Sequence, residues 1–253
     1  SRGAMTALLS VPHLDMSPRC GEQYRRRYIE GEIVPPGIAA RIGTGVHKAA
    51  ETNWREKMRT GRDMPLDAVQ DGAAEAYHKA LQDGVFFAPD ELPGAHLAMA
   101  EGKDTAVSLA TLFRRELAPT ITPALVEEKI ILDLPGVDLP VVAILDLYTE
   151  DKALRDLKTS GKKWSEDKAH ASHQPTAYRE AIRQATGEYP AQMFFDVLVG
   201  TKTPGLQSLS TRRDEQDTAI LVRKFQIMCA SLNAGIFPPA QPDHWCCSPK
   251  FCG

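Results

Sequence analysis

Two short apolar segments near the middle of the chain each contain an aspartate. Residues 144–148 read Ile-Leu-Asp-Leu-Tyr and residues 154–159 read Leu-Arg-Asp-Leu-Lys-Thr, with a polar turn between them. Such segments are typical of buried β-strands, and a carboxylate inside one is costly unless a cation or hydrogen bonds stabilise it. Any fold open to this chain therefore has to supply a positive partner for Asp146 and for Asp156.

The pairing of the two segments decides whether the two carboxylates meet. Side chains two residues apart in a strand share a face, so Asp156 and Lys158 point the same way. If residues 150–152 form a three-residue hairpin loop, Asp146 lies opposite Asp156. A two-residue loop would turn the aspartates apart, because a shift of one residue moves every side chain to the other face.

Hydrophobic periodicity divides the chain into a helical first half and a second half that mixes strands with helices. The first half has apolar residues at helical spacing in residues 44–60, 66–81 and 97–117. The second half has strand-like runs at residues 125–134, 141–147, 153–157, 193–199 and 206–210, a helix that ends at Gly187 and a last helix from Thr211 to Gly235. This order predicts an α/β fold in which a mixed β-sheet is flanked by helices and the helical N-terminal half covers a cleft.

Length and composition favour one domain. The chain has 253 residues, of which 43% are hydrophobic, and this is enough for one substantial core. We expect a single domain over residues 5–253, with a mainly helical part at 5–123, a sheet and helix at 124–210 and a C-terminal helix with a cysteine-containing tail at 211–253. Residues 1–4 precede Met5 and resemble the remnant of an expression tag.

The charge balance limits the kind of partner. There are 30 Lys and Arg against 33 Asp and Glu, a net charge of -3, so a nucleic acid would have to be held by a local groove. The basic candidates for such a groove are Arg25, Arg26 and Arg27, then Lys162 and Lys163 beside Trp164 as a stacking surface, and Arg212 with Arg213. Each run could equally be a solvated face. No apolar stretch approaches the roughly 18 residues of a membrane helix, and we expect a soluble protein of the cytoplasm of a bacterial or phage-infected cell.

Two carboxylates at the end of a hairpin form an oxygen-rich site for a hard divalent cation, Mg²⁺ or Mn²⁺. Such an ion lowers the pKa of a bound water and neutralises charge on a phosphoryl oxygen, while Lys158 can orient the water. This is the chemistry of phosphodiester hydrolysis. The alternative for Asp156 and Lys158 is a plain salt bridge.

Two further pairs lie four residues apart on predicted helices. His47 and Glu51 form one pair, and Gln174 and Tyr178 form the other, near the positive end of a helix where a phosphate or an attacking water would be favoured. Read alone, His47 could be a surface or core histidine, and Gln174 and Tyr178 could be ordinary packing residues.

Taken together, these residues resemble a known family. The string Gly-Thr-Gly-x-x-His-x-x-x-Glu, an acidic residue at Glu128, then Asp146, Asp156-x-Lys158 and Gln174-x-x-x-Tyr178 is similar to the PD-(D/E)XK nuclease superfamily. Its RecB-like branch, which includes nucleases of phage recombination and CRISPR adaptation, is the best match, over residues 8–253. The resemblance implies a restriction-endonuclease-like core. It also implies that Asp146, Asp156, His47 and the backbone carbonyl of Leu157 ligate the metal, with Glu128 near it and Lys158 as the catalytic lysine.

The cysteines extend the resemblance. The iron–sulfur members of this branch hold a [4Fe–4S] cluster with one cysteine near the N-terminus and three at the C-terminus, and Cys20 with Cys246, Cys247 and Cys252 is similar to that set. Adjacent Cys246 and Cys247 depart from the usual spacing of two intervening residues. A cluster, a zinc site and free thiols all remain open, with the cluster less expected than its absence, and Cys229 is expected in the core.

The function that these observations favour is a Mg²⁺- or Mn²⁺-dependent DNA exonuclease that acts on single strands or DNA ends, in recombination, repair or phage DNA processing. Two alternatives from other classes are a catalytically silent DNA-binding module and a docking module of a recombination or CRISPR-type assembly. A helicase or an integrase would be the partner in the latter case.

Overall fold

A six-stranded mixed sheet forms the centre of the molecule, of which the computed structural model describes residues 8–252. The strands are β1 (Leu9–Ser10), β2 (Pro123–Leu132), β3 (Val141–Thr149), β4 (Ala153–Ser160), β5 (Gln192–Val199) and β6 (Gly205–Thr211). β2 lies along one edge of β3, whose other edge pairs with β1 at one end and with β4 at the other. The sheet then continues through β5, parallel to β4, to the antiparallel β6.

Helices flank this sheet, so the predicted α/β class is confirmed. Those before β2 are α1 (Val11–Met16), α2 (Gly21–Tyr24, continued by a π-helical turn at Arg25–Glu30), α3 (Ile38–Thr60), α4 (Leu66–Gln82) and α5 (Ala95–Leu112, continued by a π-helical turn at Phe113–Leu117). Short 3₁₀ turns lie at Leu92–Gly94 and Ala118–Thr120. Those after β4 are α6 (Glu166–Ala171), α7 (Gln174–Thr186) and α8 (Glu215–Ala234). In the described part of the chain, no helix combines the length and the apolar character that a membrane crossing requires.

Two main hydrophobic clusters hold the helices to the sheet. One joins α3, α4 and α5 to strand residues such as Leu147, Leu157 and Leu198. The other joins α7 and α8 to residues such as Leu145 and Leu154. Burial of these side chains stabilises the fold by roughly 25 cal/mol for each Å² of apolar surface removed from water. The clusters fix α3 and α7 on the sheet, and these two helices carry side chains of the candidate site.

The hairpin between β3 and β4 has the three-residue loop that places the aspartates together. Leu147 lies opposite Arg155 and Tyr148 opposite Leu154, so the same register brings Asp146 to Asp156. Lys152 closes the loop with a left-handed φ of 63°, and the Thr149 hydroxyl accepts the N–H of Ala153 at 2.9 Å. The predicted register is therefore confirmed.

Two predicted helix starts were wrong. Thr211 does not open the last helix, because it pairs with Met193 as the final residue of β6. The helix begins at Glu215, where the Asp214 carboxylate accepts the N–H groups of Gln216 and Asp217 and so caps it. At the other end of the chain, α3 already begins at Ile38, directly after Gly37, rather than at residue 44.

Gly45 in α3 allows a close approach of α4. A Cβ atom at this position would lie 2.9 Å from the Ala73 carbonyl oxygen and 3.1 Å from Cβ of Tyr77. We expect Gly45→Ala to destabilise the protein by about 1–3 kcal/mol through overpacking. Gly72→Ala on α4 is the matched control, because no atom lies within 4 Å of its Cβ position, and it should stabilise by about 0.5–1 kcal/mol. Urea unfolding of both variants measures the difference, and equal midpoints would contradict this packing.

The two ends of the described chain meet at a seam. The N–H of Gly21 donates to the carbonyl of Pro238 at 2.7 Å, and the N–H of Ala240 points to Sγ of Cys20 at 3.4 Å. The rings of Tyr24 and Phe237 stack across the same contact. The seam joins α2 to the tail that follows α8.

Candidate active site

Three side chains from α3, β2 and β3 converge in a cavity of about 510 Å³ at the edge of the sheet. His47, Glu127 and Asp146 each offer a ligand atom, and these atoms all lie within 4.8 Å of one another. Nδ1 of His47 is 3.7 Å from Oδ2 of Asp146. One nitrogen and two carboxylate donors at this spacing are a suitable set for a divalent cation.

The carboxylate from β2 is Glu127, and the expectation of Glu128 at this place was wrong. In the β2–β3 ladder Val126 faces Leu147 and Glu128 faces Leu145, so Glu127 is opposite Asp146. Glu128 is exposed, on the other side of the strand. Glu127 also has a left-handed φ of 48°, an uncommon conformation for a residue with a side chain and one that often marks a functional site.

Asp156 lies beside this cluster as a buried carboxylate. It is only 3% exposed, and Nζ of Lys158 is 2.5 Å from its Oδ2. Apart from this ion pair, neither oxygen of Asp156 has a hydrogen-bond donor among the described residues. Burial, together with neighbouring Asp146, raises the pKa of Asp156 to about 7 against the opposing effect of Lys158. A buried carboxylate without hydrogen-bond donors is suited to binding a metal ion, which would compensate its charge.

The Asp146 carboxylate links β3 to β4 through a hydrogen bond. The N–H of Leu157 donates to Oδ2 of Asp146 at 2.9 Å. Burial, with a smaller effect of Glu127, raises the pKa of Asp146 to about 6 against the opposing effect of Lys158. The contact of Leu157 with the site is thus through its N–H, and ligation by its carbonyl stays a prediction.

The surroundings shift the pKa values of the two basic groups of the site in opposite directions. Burial lowers the pKa of His47, and Lys158 lowers it further, which keeps the imidazole neutral as a metal ligand must be. Burial also acts to lower the pKa of Lys158, but Asp156 and Asp146 outweigh it, so the net change is upward. Lys158 is therefore a fixed cation next to the buried carboxylates.

Gln174 and Tyr178 lie at the start of α7 and face the same carboxylates. Nε2 of Gln174 donates to the Tyr178 hydroxyl at 2.6 Å. Burial raises the pKa of Tyr178, and the charges of Asp156 and Asp146 raise it further. The structure thus brings this predicted pair to the site. Glu51 lines the cavity but its carboxylate is held by Lys48 and Arg55 at 2.8 and 2.9 Å.

The predicted DNA contacts have mixed placements. Lys162 and Lys163 are exposed in the loop that follows β4. Trp164 is not a free stacking surface, because it packs against Phe195 and lies 3.9 Å beneath the Lys168 ammonium.

Three of the predicted arginines, Arg25, Arg26 and Arg213, already have partners within the protein. Arg25 and Arg26 form ion pairs with Glu22, which offsets their charge. The Arg213 guanidinium donates to three backbone carbonyls around the α6–α7 turn. These positions were read as free cations because sequence spacing does not reveal such partners.

Cys20, Cys246, Cys247 and Cys252 lie near one another where α2 meets the tail, but in residues 8–252 no three of their sulfur atoms all lie within 4.8 Å of one another. Cys20 and Cys246 are buried, Cys252 is half-buried and Cys247 is exposed, all as free thiols. Burial raises the pKa of Cys246, and the thiols of Cys20 and Cys247 raise it further. Nδ1 of His244 lies 3.1 Å from Sγ of Cys246. Iron, sulfide and zinc contents of the purified chain distinguish a cluster, a zinc site and free thiols. Cys229 is buried in the core with α8, as expected.

Metal affinity should depend on pH through the two aspartates. A raised pKa means that a carboxyl keeps its proton where an ordinary aspartate has lost it, and a metal ion must displace that proton. With pKa values of about 6 for Asp146 and about 7 for Asp156, we expect Mn²⁺ affinity to rise with pH up to about 7 and then level off. Below about pH 6 the affinity should fall about tenfold or more per pH unit. Calorimetric titration with Mn²⁺ across this range measures it, and a pH-independent affinity would contradict the assignment.

Carboxylates beside a lysine on a β-hairpin, with a histidine from the covering helix, define a class of hydrolytic site that acts on phosphodiesters. A model of the PD-(D/E)XK nuclease superfamily matches residues 8–253, and the chain belongs to this superfamily. No curated protein sequence matches the chain.

Among solved structures, a candidate exonuclease from Eubacterium rectale is similar over 98% of this chain and 89% of its own, with 16% identity and a TM-score of 0.55. At this identity the likeness supports the fold. A second structure, of the protein SSO0001, is 12% identical over 83% of this chain and 85% of its own, with a TM-score of 0.33.

Proposed function

We propose that this nuclease is a metal-dependent deoxyribonuclease that removes nucleotides from single-stranded DNA or from DNA ends. The observation that carries the proposal is the set of His47, Glu127 and Asp146 within 4.8 Å of one another, beside the buried pair of Asp156 and Lys158. The similarity to a candidate exonuclease supports the same reaction class.

The donor set fits Mg²⁺ or Mn²⁺. Asp146, Asp156, Glu127 and His47 would hold the ion, and the nitrogen donor makes Mn²⁺ more welcome than in an all-oxygen site. When bound, the ion supplies Lewis acidity, which activates water and neutralises charge on the phosphate. The Leu157 carbonyl is a further proposed oxygen ligand.

The remaining side chains act on water and phosphate. The Lys158 ammonium, fixed by Asp156, orients the attacking water and stabilises the negative charge that develops on the phosphate oxygens. Tyr178 and Gln174 approach from α7 and position the phosphate through hydroxyl and amide donors. Because burial disfavours loss of the Tyr178 proton, this hydroxyl remains a donor across the working pH range.

The surroundings of the site support a DNA substrate. Exposed Lys162 and Lys163 extend from the end of β4, the strand that carries Asp156 and Lys158, where they can contact DNA phosphates. Work on DNA ends fits recombination, repair or phage DNA processing in the cytoplasm, with a helicase as a partner that would supply single strands.

The test is a cleavage time course on end-labelled linear single-stranded and double-stranded DNA beside a closed circle. Reactions contain Mn²⁺, Mg²⁺ or EDTA, with the native chain and Asp156→Ala in parallel. We expect metal-dependent loss of the linear substrates alone, absent in the variant. Cutting of the circle would establish an endonuclease instead. DNA binding without cleavage under either metal would support a silent binding module.

A further inference from the structure

A second cavity, of about 600 Å³, lies next to the metal-site cavity at the beginning of α3. Its walls come from α2, the segment that leads into α3, the connection between α4 and α5, and the C-terminal tail. Its lining includes three cationic and three aromatic side chains, those of Arg19, Arg27, Lys250, Phe86, Phe87 and Phe251.

The charges around this cavity are mostly positive. Three cations line it against one carboxylate, Glu91, and that carboxylate already accepts the N–H of Ala88 at 2.8 Å. Nε of Arg19 is buried without a hydrogen-bond partner among residues 8–252. No side chain caps the start of α3, whose first N–H groups add positive potential at the same place. The cavity therefore favours an anionic occupant.

Aromatic rings supply the rest of the binding surface. Phe86 and Phe87 are half-buried in the wall, and Phe251 is 39% exposed at the tail. The wall is held in place because the N–H of Phe86 donates to the Pro36 carbonyl at 3.2 Å and Arg41 donates to the Gly84 carbonyl. Rings presented beside cations are the combination that binds unpaired nucleobases and their phosphates.

The cavity adjoins the candidate active site. Ala40 lines both cavities. His47 follows Ala40 by seven residues along α3, a distance of about 10 Å at 1.5 Å per residue. A strand that lies in the second cavity therefore reaches the metal-site residues within a few nucleotides.

We infer that this second cavity binds single-stranded DNA on its way to the hydrolytic site, with bases stacked on Phe86, Phe87 and Phe251 and phosphates held by Arg19, Arg27 and Lys250. The inference rests on the proposed function for its substrate class. Duplex DNA is excluded, because its base faces are already stacked on their neighbours and because a cavity of this volume suits a ligand of one or two nucleotides.

The test measures binding rather than cleavage. Fluorescence anisotropy of labelled oligothymidylate and of a blunt duplex of equal length is recorded in EDTA, so that no hydrolysis is needed. The variants are Phe87→Leu, which keeps apolar volume without the ring, Phe87→Tyr, which keeps the ring, and Arg27→Ala. Arg223→Ala on α8 is the matched control, since this exposed arginine lies outside both cavities. Thermal melting confirms that each variant is folded.

We expect Phe87→Leu and Arg27→Ala each to weaken single-strand binding by about tenfold, with Phe87→Tyr and Arg223→Ala unchanged. Duplex affinity should respond to none of them. Native single-strand affinity in Phe87→Leu and Arg27→Ala, or an equal loss for the duplex, would overturn the inference. Failure of the proposed function would be seen separately, as the absence of DNA cleavage by the native chain in Mn²⁺. The binding measurements in EDTA do not depend on that result.

Discussion

Replacing Lys158 with alanine should lower the cleavage rate by about a thousandfold or more while metal binding is retained. The ammonium sits 2.5 Å from the Asp156 carboxylate, so its loss removes both water orientation and charge stabilisation. Preorganised electrostatic groups of this kind are worth about 10²–10³ in rate, and proton positioning adds to that.

The measurement is the rate of nucleotide release from single-stranded DNA at saturating Mn²⁺. Lys202→Ala is the matched control, because this lysine is exposed in the turn between β5 and β6. Loss of Lys158 leaves Asp156 buried without its cation, so the melting temperature of each variant is recorded with and without Mn²⁺. A Lys158→Ala variant that keeps a tenth of the native rate would show that the pair is only a salt bridge.

Two neighbouring glutamates of β2 should differ greatly in their contribution to metal binding. We expect Glu127→Gln to weaken Mn²⁺ binding by at least about 100-fold, since loss of groups that merely support ligands already costs about 10–100-fold. Glu128→Gln should leave binding within about twofold, because this side chain is exposed on the other side of β2. Calorimetry and cleavage rates report both variants.

This pair of substitutions also tests the register of β2. The opposite result, with Glu128→Gln inactive and Glu127→Gln active, would mean that β2 pairs with β3 one residue out of the described register. Equal and small effects would remove β2 from the metal site, leaving His47 with the two aspartates.

The parts of the fold that could be predicted are those governed by local rules. The hydrophobic period located α4 closely, and the stop signal at Gly187 located the end of α7. The three-residue loop at 150–152 predicted that Asp146 meets Asp156. The position of Lys158 followed from strand alternation. Each of these conclusions needs only residues that are close in sequence.

The errors arose where a distant partner decides the outcome. Glu127 rather than Glu128 faces the site because the β2–β3 register pairs Val126 with Leu147 and Glu128 with Leu145, and the sequence of β2 alone does not reveal this register. Counting opposite residues between β2 and β3 could have found Glu127 once the β2 register was known. Trp164 was read as a DNA contact because its partner Phe195 lies on another strand.

The seam between α2 and the tail can form only late in translation, because its two sides are far apart in the sequence. Cys20 and Ala240 are 220 residues apart, so at about 5–20 residues per second α2 remains without its partner for on the order of 10–40 s on the ribosome. His47, Glu127, Asp146 and Asp156 all emerge before residue 240. The hydrolytic centre can therefore assemble on a nascent chain whose second cavity still lacks the wall that Lys250 and Phe251 provide.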